Sequence, residues 1–253
     1  MAATKLRAGG KAVGTMVRLV RSPGIALIAK NAGLDFFMFD LEHGSFSLES
    51  VADAAAAARS AGISCFARVP ELSKAWVSRI LDCGCTGVMV PMIESVEQAQ
   101  KLAGWAKFAP IGYRGMGSAG GHTDYASIPA PATGDFMQTQ NESTLAIAQI
   151  ETKRAIEEID KIASVPGIDV LLIGPNDLAV SLGISGDLQN PKLVQSVEAV
   201  AAAASKHGKI FGMHGPDALT ELFLPKGLRM IMSALDIGML GAAMKAIAVK
   251  YGK

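Results

Sequence analysis

Short apolar runs alternate with longer alanine-rich stretches along the whole chain. The runs are Val13–Leu19, Phe36–Phe39, Cys65–Val69, Gly87–Val90, Leu145–Ile150, Val170–Ile173, Ile210–Met213 and Met230–Ser233. Most are apolar at successive positions, as a parallel strand buried on both faces must be. Between them Pro23–Ala32, Leu48–Ser60, Ala75–Cys83, Val96–Lys107, Ala155–Ser164, Lys192–His207, Ala218–Leu224 and Asp236–Tyr251 read as helices. Ser47 stands where an N-cap is expected. Ala32-Gly33, Ala61-Gly62 and Pro166-Gly167 stop helices ahead of the next strand.

Strand–helix units repeated in this number over 253 residues match a (β/α)8 barrel. The expected fold class is therefore α/β, a TIM barrel forming one domain over residues 1–253, with a doubly wound open sheet as the rival. One interval breaks the rhythm. Phe108 to Ser143 is too long for a simple connection and holds Gly112, Gly115, Gly117, Gly120, Gly121 and Pro129. Long loops in compact domains are usually functional. This one follows a helix, so it would have to travel back to the strand C-termini to join a site there. Its segment Arg114-Gly115-Met116-Gly117-Ser118 could present backbone N–H groups to an anion, or be a plain turn.

Composition narrows the partners. A formal net charge of +1, with no run of Lys or Arg, argues against nucleic acid. No segment approaches ~20 uninterrupted apolar residues, so no membrane span is expected. Met1 to Lys11 is polar and basic without a following apolar stretch, unlike a signal peptide. Cys65, Cys83 and Cys85 fit no common zinc spacing and read as reduced thiols of a cytoplasmic protein.

In a barrel, chemistry gathers at the C-terminal ends of the strands. Those positions hold Asp40-Leu41-Glu42-His43-Gly44, Arg68, Pro91, Gln149, Glu151 and, after the turn Gly174-Pro175-Asn176, Asp177. Glu151 and Asp177 close adjacent strand units, where two carboxylates repel unless a cation joins them. Oxygen donors favour Mg2+ or Mn2+ over zinc; the alternative is a helix cap or a pair with Lys153 or Arg154. Arg68 offers a planar cation to a carboxylate or a developing oxyanion. It could equally form a structural pair with Asp40 or Glu42. His43 is a candidate for proton transfer. Asp40 and Glu42 could hydrogen-bond waters around a metal or brace their loop. Gln149, two residues before Glu151, shares its face. No strand-end lysine suits a Schiff base.

Leu41-Glu42-His43-Gly44, Ala67-Arg68-Val69-Pro70, Val90-Pro91-Met92, Tyr113-Arg114-Gly115-Met116-Gly117-Ser118, Gln149-Ile150-Glu151-Thr152 and Ile173-Gly174-Pro175-Asn176-Asp177-Leu178 occur in order. Together they resemble the HpcH/HpaI aldolases, metal-dependent pyruvate aldolases of the phosphoenolpyruvate/pyruvate-binding barrel superfamily. The resemblance runs from about Gly14 to Ala248. It implies reversible cleavage of a 4-hydroxy-2-oxo acid to pyruvate and a small aldehyde, with Mg2+, Mn2+ or Co2+ held by Glu151 and Asp177. Arg68 would contact the keto oxygen, and His43 would move a proton. Asp82, in Leu81-Asp82-Cys83-Gly84, would support His43 from a neighbouring subunit. Gln149 and Gly174-Pro175-Asn176 complete the candidate substrate contacts. The resemblance also implies a homohexamer built from dimers, with the eighth helix exchanged between subunits. An acyl-CoA carbon–carbon lyase and a non-catalytic barrel are the alternatives. Two positions depart from the family pattern: Met16 stands where tryptophan is common, and Met213-His214-Gly215-Pro216 introduces a histidine.

Overall fold

The computed structural model describes residues 1–252. Eight strands close into an all-parallel barrel in sequence order. They are β1 (Ala12–Val17), β2 (Phe36–Asp40), β3 (Ser64–Arg68), β4 (Gly87–Val90), β5 (Leu145–Ile150), β6 (Val170–Ile173), β7 (Ile210–His214) and β8 (Leu228–Leu235). The helices begin with α1 (Ala2–Arg7), α2 (Ile25–Asn31), α3 (Leu48–Ala61), α4 (Lys74–Asp82), α5 (Val96–Ala106) and α6 (Thr133–Ser143). There follow α7 (Lys153–Glu157), α8 (Ile159–Ser164), α9 (Pro175–Ser181), α10 (Pro191–Lys206), α11 (Asp217–Phe223) and α12 (Asp236–Tyr251). The closed β1–β8 pairing excludes the open sheet.

Alternation along each strand splits the apolar residues into two cores. Met16, Phe36, Met38, Phe66, Met89, Ile147, Leu172, Met230 and Met232 fill the barrel interior. Phe37, Phe39, Ala67, Val88, Ala148, Leu171 and Phe211 face outward, under alanines of α3, α5 and α10. The interior needs large and small residues side by side. A Cβ on Gly14 of β1 would lie 2.5 Å from the Phe36 ring, so only glycine lets that ring occupy the axis. Ser47, Ser73 and Ser95 cap α3, α4 and α5 by accepting the backbone N–H of Ser50, Trp76 and Gln98, which fixes where each helix leaves its strand-end loop.

Several elements differ from the sequence reading. The first residues form α1, whose Ala2, Ala3 and Leu6 plug the N-terminal end of the barrel against the interior core. The residues after Gly174 form a helix, α9, opened by Pro175 at its first position. The helix expected over Ala155–Ser164 is two short ones meeting at Glu158. Phe108–Ser143 does not return to the strand C-termini. It stays at the opposite end, tied by Arg59–Asp124 and Arg114–Asp82 ion pairs and closed by α6.

Outward cover fails at one place. Along α12 nearly every residue is exposed, including Met244 at 65%, Ile247 at 62% and Val249 at 67%. Only its base, through Asp236, is held: that carboxylate accepts the backbone N–H groups of Arg18, Leu19 and Val20. Where an eighth helix would cover β1, Val13 is 40% exposed, and Leu27, Ile28 and Leu222 on the flanking helices are also open.

Candidate active site at the barrel mouth

The side chains that point inward on the last residue of each strand belong to the same alternating set as the interior core. Asp40 follows Phe36 and Met38, Arg68 follows Phe66, and Gln149 follows Leu145 and Ile147. The period of a strand thus carries the apolar interior into a polar rim without a break.

Asp40 is fully buried and anchors that rim. Arg68 grips it with two bonds, Nε to Oδ1 at 2.9 Å and Nη2 to Oδ2 at 2.6 Å, and Arg18 donates to Oδ2 from the other side. Its Oδ1 also accepts the N–H groups of Glu42 and His43, shaping the turn that presents the histidine. Burial opposes ionisation of Asp40, but the Arg68 and Arg18 guanidiniums outweigh it and hold the carboxyl below its ordinary value. Arg68 is itself buried, and despite that burial the facing Asp40, Glu42 and Glu151 hold its charge in place. The structural pairing considered for Arg68 is therefore present, with both Asp40 and Glu42. Nη1, the atom beside Glu42, also lies 3.5 Å from Gln149 Oε1, a weak contact that a ligand can replace.

Glu42 Oε2 lies 2.8 Å from Arg68 Nη1, yet it is buried without a hydrogen bond. Proximity without N–H alignment leaves that oxygen free to bind a water or a ligand group. His43 sits at the rim with half its side chain exposed, its Nε2 3.9 Å from the same oxygen.

Across the mouth Glu151 is 2% exposed. The Met92 N–H donates to its Oε1 at 2.8 Å, and Gln149 Nε2 donates to its Oε2 at 2.5 Å. Met92 adopts φ +54 to do so, a left-handed conformation that costs about 1 kcal/mol or more outside glycine. Burial, with the Asp177 charge nearby, pushes the Glu151 carboxyl up to about 7. Gly174 makes room for it: a Cβ there would lie 2.4 Å from Glu151 Oε2 and 2.8 Å from Gln149 Nε2. Asp177 is in the first turn of α9 and exposed, as is Asn176, while Pro175 is buried.

Among the described residues no three His, Cys, Asp or Glu side chains form a ready metal cluster. The donor set nonetheless fits a divalent cation. Four carboxyls, of Asp40, Glu42, Glu151 and Asp177, share the mouth with two guanidiniums, of Arg18 and Arg68. Carboxyls outnumber guanidiniums there, and because Glu151 is buried that imbalance favours a cation; one oxygen of the set, Glu42 Oε2, makes no hydrogen bond. The donors are all oxygens, which suits Mg2+ or Mn2+.

Asp82 does not join this group within one chain. It ends α4, at the strand N-terminal end, where it accepts from Arg114 at 2.6 Å. Arg18 escaped the sequence reading as part of the rim, whereas His214 was met there as a departure from the family pattern. A strand drawn to Leu19 hides Arg18 inside it, although the strand stops at Val17. His214 is the last inward position of β7, and burial lowers its pKa to about 4, so the ring is uncharged at neutral pH. A cavity of about 930 Å³ is at the other end, among Arg7, Lys107, Asp169 and Lys209. Its cations are spent on Asp169 and on backbone carbonyls, so it offers no free chemistry.

Comparison with known proteins agrees with this geometry. The family model described as HpcH/HpaI aldolase/citrate lyase matches residues 18–242. The 4-hydroxy-4-methyl-2-oxoglutarate aldolase tasA of Hapsidospora irregularis is 34% identical, over 81% of this chain and 75% of its own. The 4-hydroxy-2-oxovalerate aldolase of Novosphingobium aromaticivorans is 34% identical, over 91% of this chain and 86% of its own. The crystal structure of an HpcH/HpaI aldolase from Desulfitobacterium hafniense DCB-2 superposes with a TM-score of 0.91 at 34% identity. It covers 98% of this chain and 94% of that one. With a closed barrel, a carboxylate-rich mouth and a match over most of its length, the chain belongs to the HpcH/HpaI aldolase/citrate lyase family and is a carbon–carbon lyase.

Proposed function

We propose that the protein is a divalent-metal-dependent aldolase that reversibly cleaves a 4-hydroxy-2-oxo acid to pyruvate and a small aldehyde. The observation that carries this reading is a buried, charge-locked guanidinium, Arg68, facing the Glu151 and Asp177 carboxyls across one rim. Glu151 and Asp177 would hold Mg2+, Mn2+ or Co2+, which when bound supplies Lewis-acid polarisation of a 2-keto group.

The protein's own side chains supply the rest. Cleavage breaks C3–C4, and the bonding pair ends as an enolate whose negative charge sits on the C2 oxygen. Arg68 is aimed at that charge, and because Asp40 holds it rigidly, it need not reorganise as the charge develops. His43 takes the C4 hydroxyl proton as the aldehyde forms; its exposed ring beside Glu42 suits exchange with solvent. Gln149 and the Gly174-Pro175-Asn176 turn line the seat of the acid, Gln149 fixing Glu151 while its own oxygen faces Arg68. Asp40 keeps Arg68 charged, and Glu42 offers its orphaned oxygen to a water in the mouth. Asp82 would assist His43 only from a second copy.

That second copy is also suggested by α12. An apolar helix standing clear of its own barrel, beside an uncovered β1 face, is the arrangement in which two copies exchange that helix. We assign the protein to a homo-oligomer on this ground, a hexamer built from three dimers being the family-type assembly.

The decisive assay incubates the protein with pyruvate, a panel of aldehydes and each metal in turn, with product mass as the readout. Turnover that needs the metal is expected. Cleavage at an unchanged rate after chelation and removal of the cation would overturn the metal reading.

A further inference from the structure

The rim is anchored on Asp40, and one of the two guanidiniums on Asp40 comes from outside any strand. β1 ends at Val17, and the chain bends at Arg18 and Leu19. The alternation that sends Met16 inward and Val17 outward therefore no longer directs Arg18. Its Nε nonetheless donates to Asp40 Oδ2 at 2.5 Å, the oxygen that also takes Arg68 Nη2. A contact outside the sheet has to hold the Arg18 backbone for this.

Asp236 supplies it. Its Oδ1 accepts the Arg18 N–H at 2.9 Å, and its Oδ2 accepts those of Leu19 and Val20, each at 2.8 Å. Three consecutive donors beyond the strand are gathered on one carboxylate that is 3% exposed. Hydrogen bonds to an ionised acceptor are the strong kind. β8 is shaped to deliver this group. The β1–β8 register shifts between Gly14 and Met16, and Thr15 Oγ1 donates to the Ala234 carbonyl at 3.2 Å. Ala234 adopts φ +61, a conformation that alanine keeps only where its surroundings impose it. Asp236 is also the first residue of α12 and, among the described residues, that helix's one buried side chain. The group that steers Arg18 is thus the foot of the helix that stands clear of the barrel.

Arg18 changes the charge of the mouth. Asp40 and Glu42 both pair with Arg68. With Arg18 in place, two carboxylates meet two guanidiniums. Without it, that side of the mouth is net negative and disfavours both an anionic acid and its enolate.

We propose that Asp236 is a positioning residue of the mouth, which acts through Arg18 and so couples the seating of α12 to the charge beside Arg68. This rests on the aldolase reading and adds to it a route from assembly to activity, carried by contiguous hydrogen bonds.

The test is a double-mutant cycle on the full-length protein with Mn2+ and pyruvate in D2O. Proton magnetic resonance follows C3 exchange, in which a C3 proton leaves, the electron pair moves to the C2 oxygen, and deuterium returns from solvent. Asp236→Asn replaces one acceptor by an amide nitrogen that faces N–H donors. Arg18→Met removes the guanidinium and keeps an apolar stem. Each alone should slow exchange by about tenfold, the value of one hydrogen bond to a charged group. The double variant should be no slower than Arg18→Met, because losses along one path do not add. If Asp236 were merely structural, the two losses would multiply to about a hundredfold, and that result overturns the assignment while leaving the aldolase reading intact. Should Asp236→Asn prove too slow to rate, its crystal structure decides. Arg18 turned away from Asp40 upholds the assignment, and Arg18 Nε still bonded there overturns it. Failure of the wild type to exchange pyruvate overturns both readings.

Discussion

Arg68 shows how much a single residue depends on its neighbours. Alone in the sequence it is any basic residue after an apolar run; buried against Asp40 it is a fixed charge. Arg68→Ala should abolish α-proton exchange of pyruvate and also destabilise the fold by ~3–5 kcal/mol, because Asp40 stays buried with fewer partners. Normal exchange in that variant would remove Arg68 from the chemistry. Gly174→Ala tests geometry without charge. The added methyl collides with Glu151 and Gln149, so metal affinity should drop ~10-fold or more, as it does when positioning contacts are lost. Calorimetric titration with Mn2+ gives the number, and an unchanged affinity would mean that Glu151 is not a ligand.

Glu151 also sets a pH dependence. Its carboxyl titrates near 7 in the folded protein and near 4.5 unfolded. Between those values the folded state holds the extra proton, so stability of the metal-free protein falls as pH rises across the window and is flat above it. A bound cation displaces that proton, so metal affinity should climb about tenfold per pH unit below 7 and level off above. Melting temperatures from pH 5 to 8, with and without Mn2+, report both slopes. A Glu151→Gln protein that kept the same metal-free slope would assign it to another group.

At the scale of elements, the strands were the most legible part. Runs apolar on both faces have no alternative to a buried parallel sheet, and the first and last residues of β2, β4, β5 and β6 fall at or within one residue of the run boundaries. The short helices were not legible. α9 starts at a proline after a glycine, which reads as a turn, and α1 is only six residues long; each exists because a tertiary surface holds it. α12 is the opposite case, a helix plain in the sequence, whose exchange between subunits is implied by the family resemblance and not by its own pattern. Deleting Asp236–Tyr251 should convert the assembly to smaller species in light scattering and lower its melting temperature. Ile247→Asp should act in the same direction. If either protein kept the size of the wild type, α12 would not be the joining element.

For the whole molecule, polarity is divided between two ends that serve different purposes. The strand N-terminal end is ion-paired and plugged by α1, with Lys107 buried against Asp169 and carbonyls; it stabilises. The C-terminal end carries unbalanced charge and an orphaned oxygen, which stability alone would not retain. Adding a divalent cation should therefore raise the melting temperature, and chelation should lower it. Protein in which Glu151→Gln and Asp177→Asn are combined should show neither response.

The pattern of residues determined the barrel, the mouth as the place for chemistry, and the group Asp40, Glu42, His43, Arg68, Gln149, Glu151 and Asp177. Period and strand order suffice for that, because a closed parallel sheet sends every strand end to one rim. Only the tertiary structure decided which of these are paired, which oxygen is left over, and that Arg18 joins the rim. It also put Asp82 with Arg114 at the far end. Burial and contact direction depend on residues distant in the chain, and no local pattern encodes them.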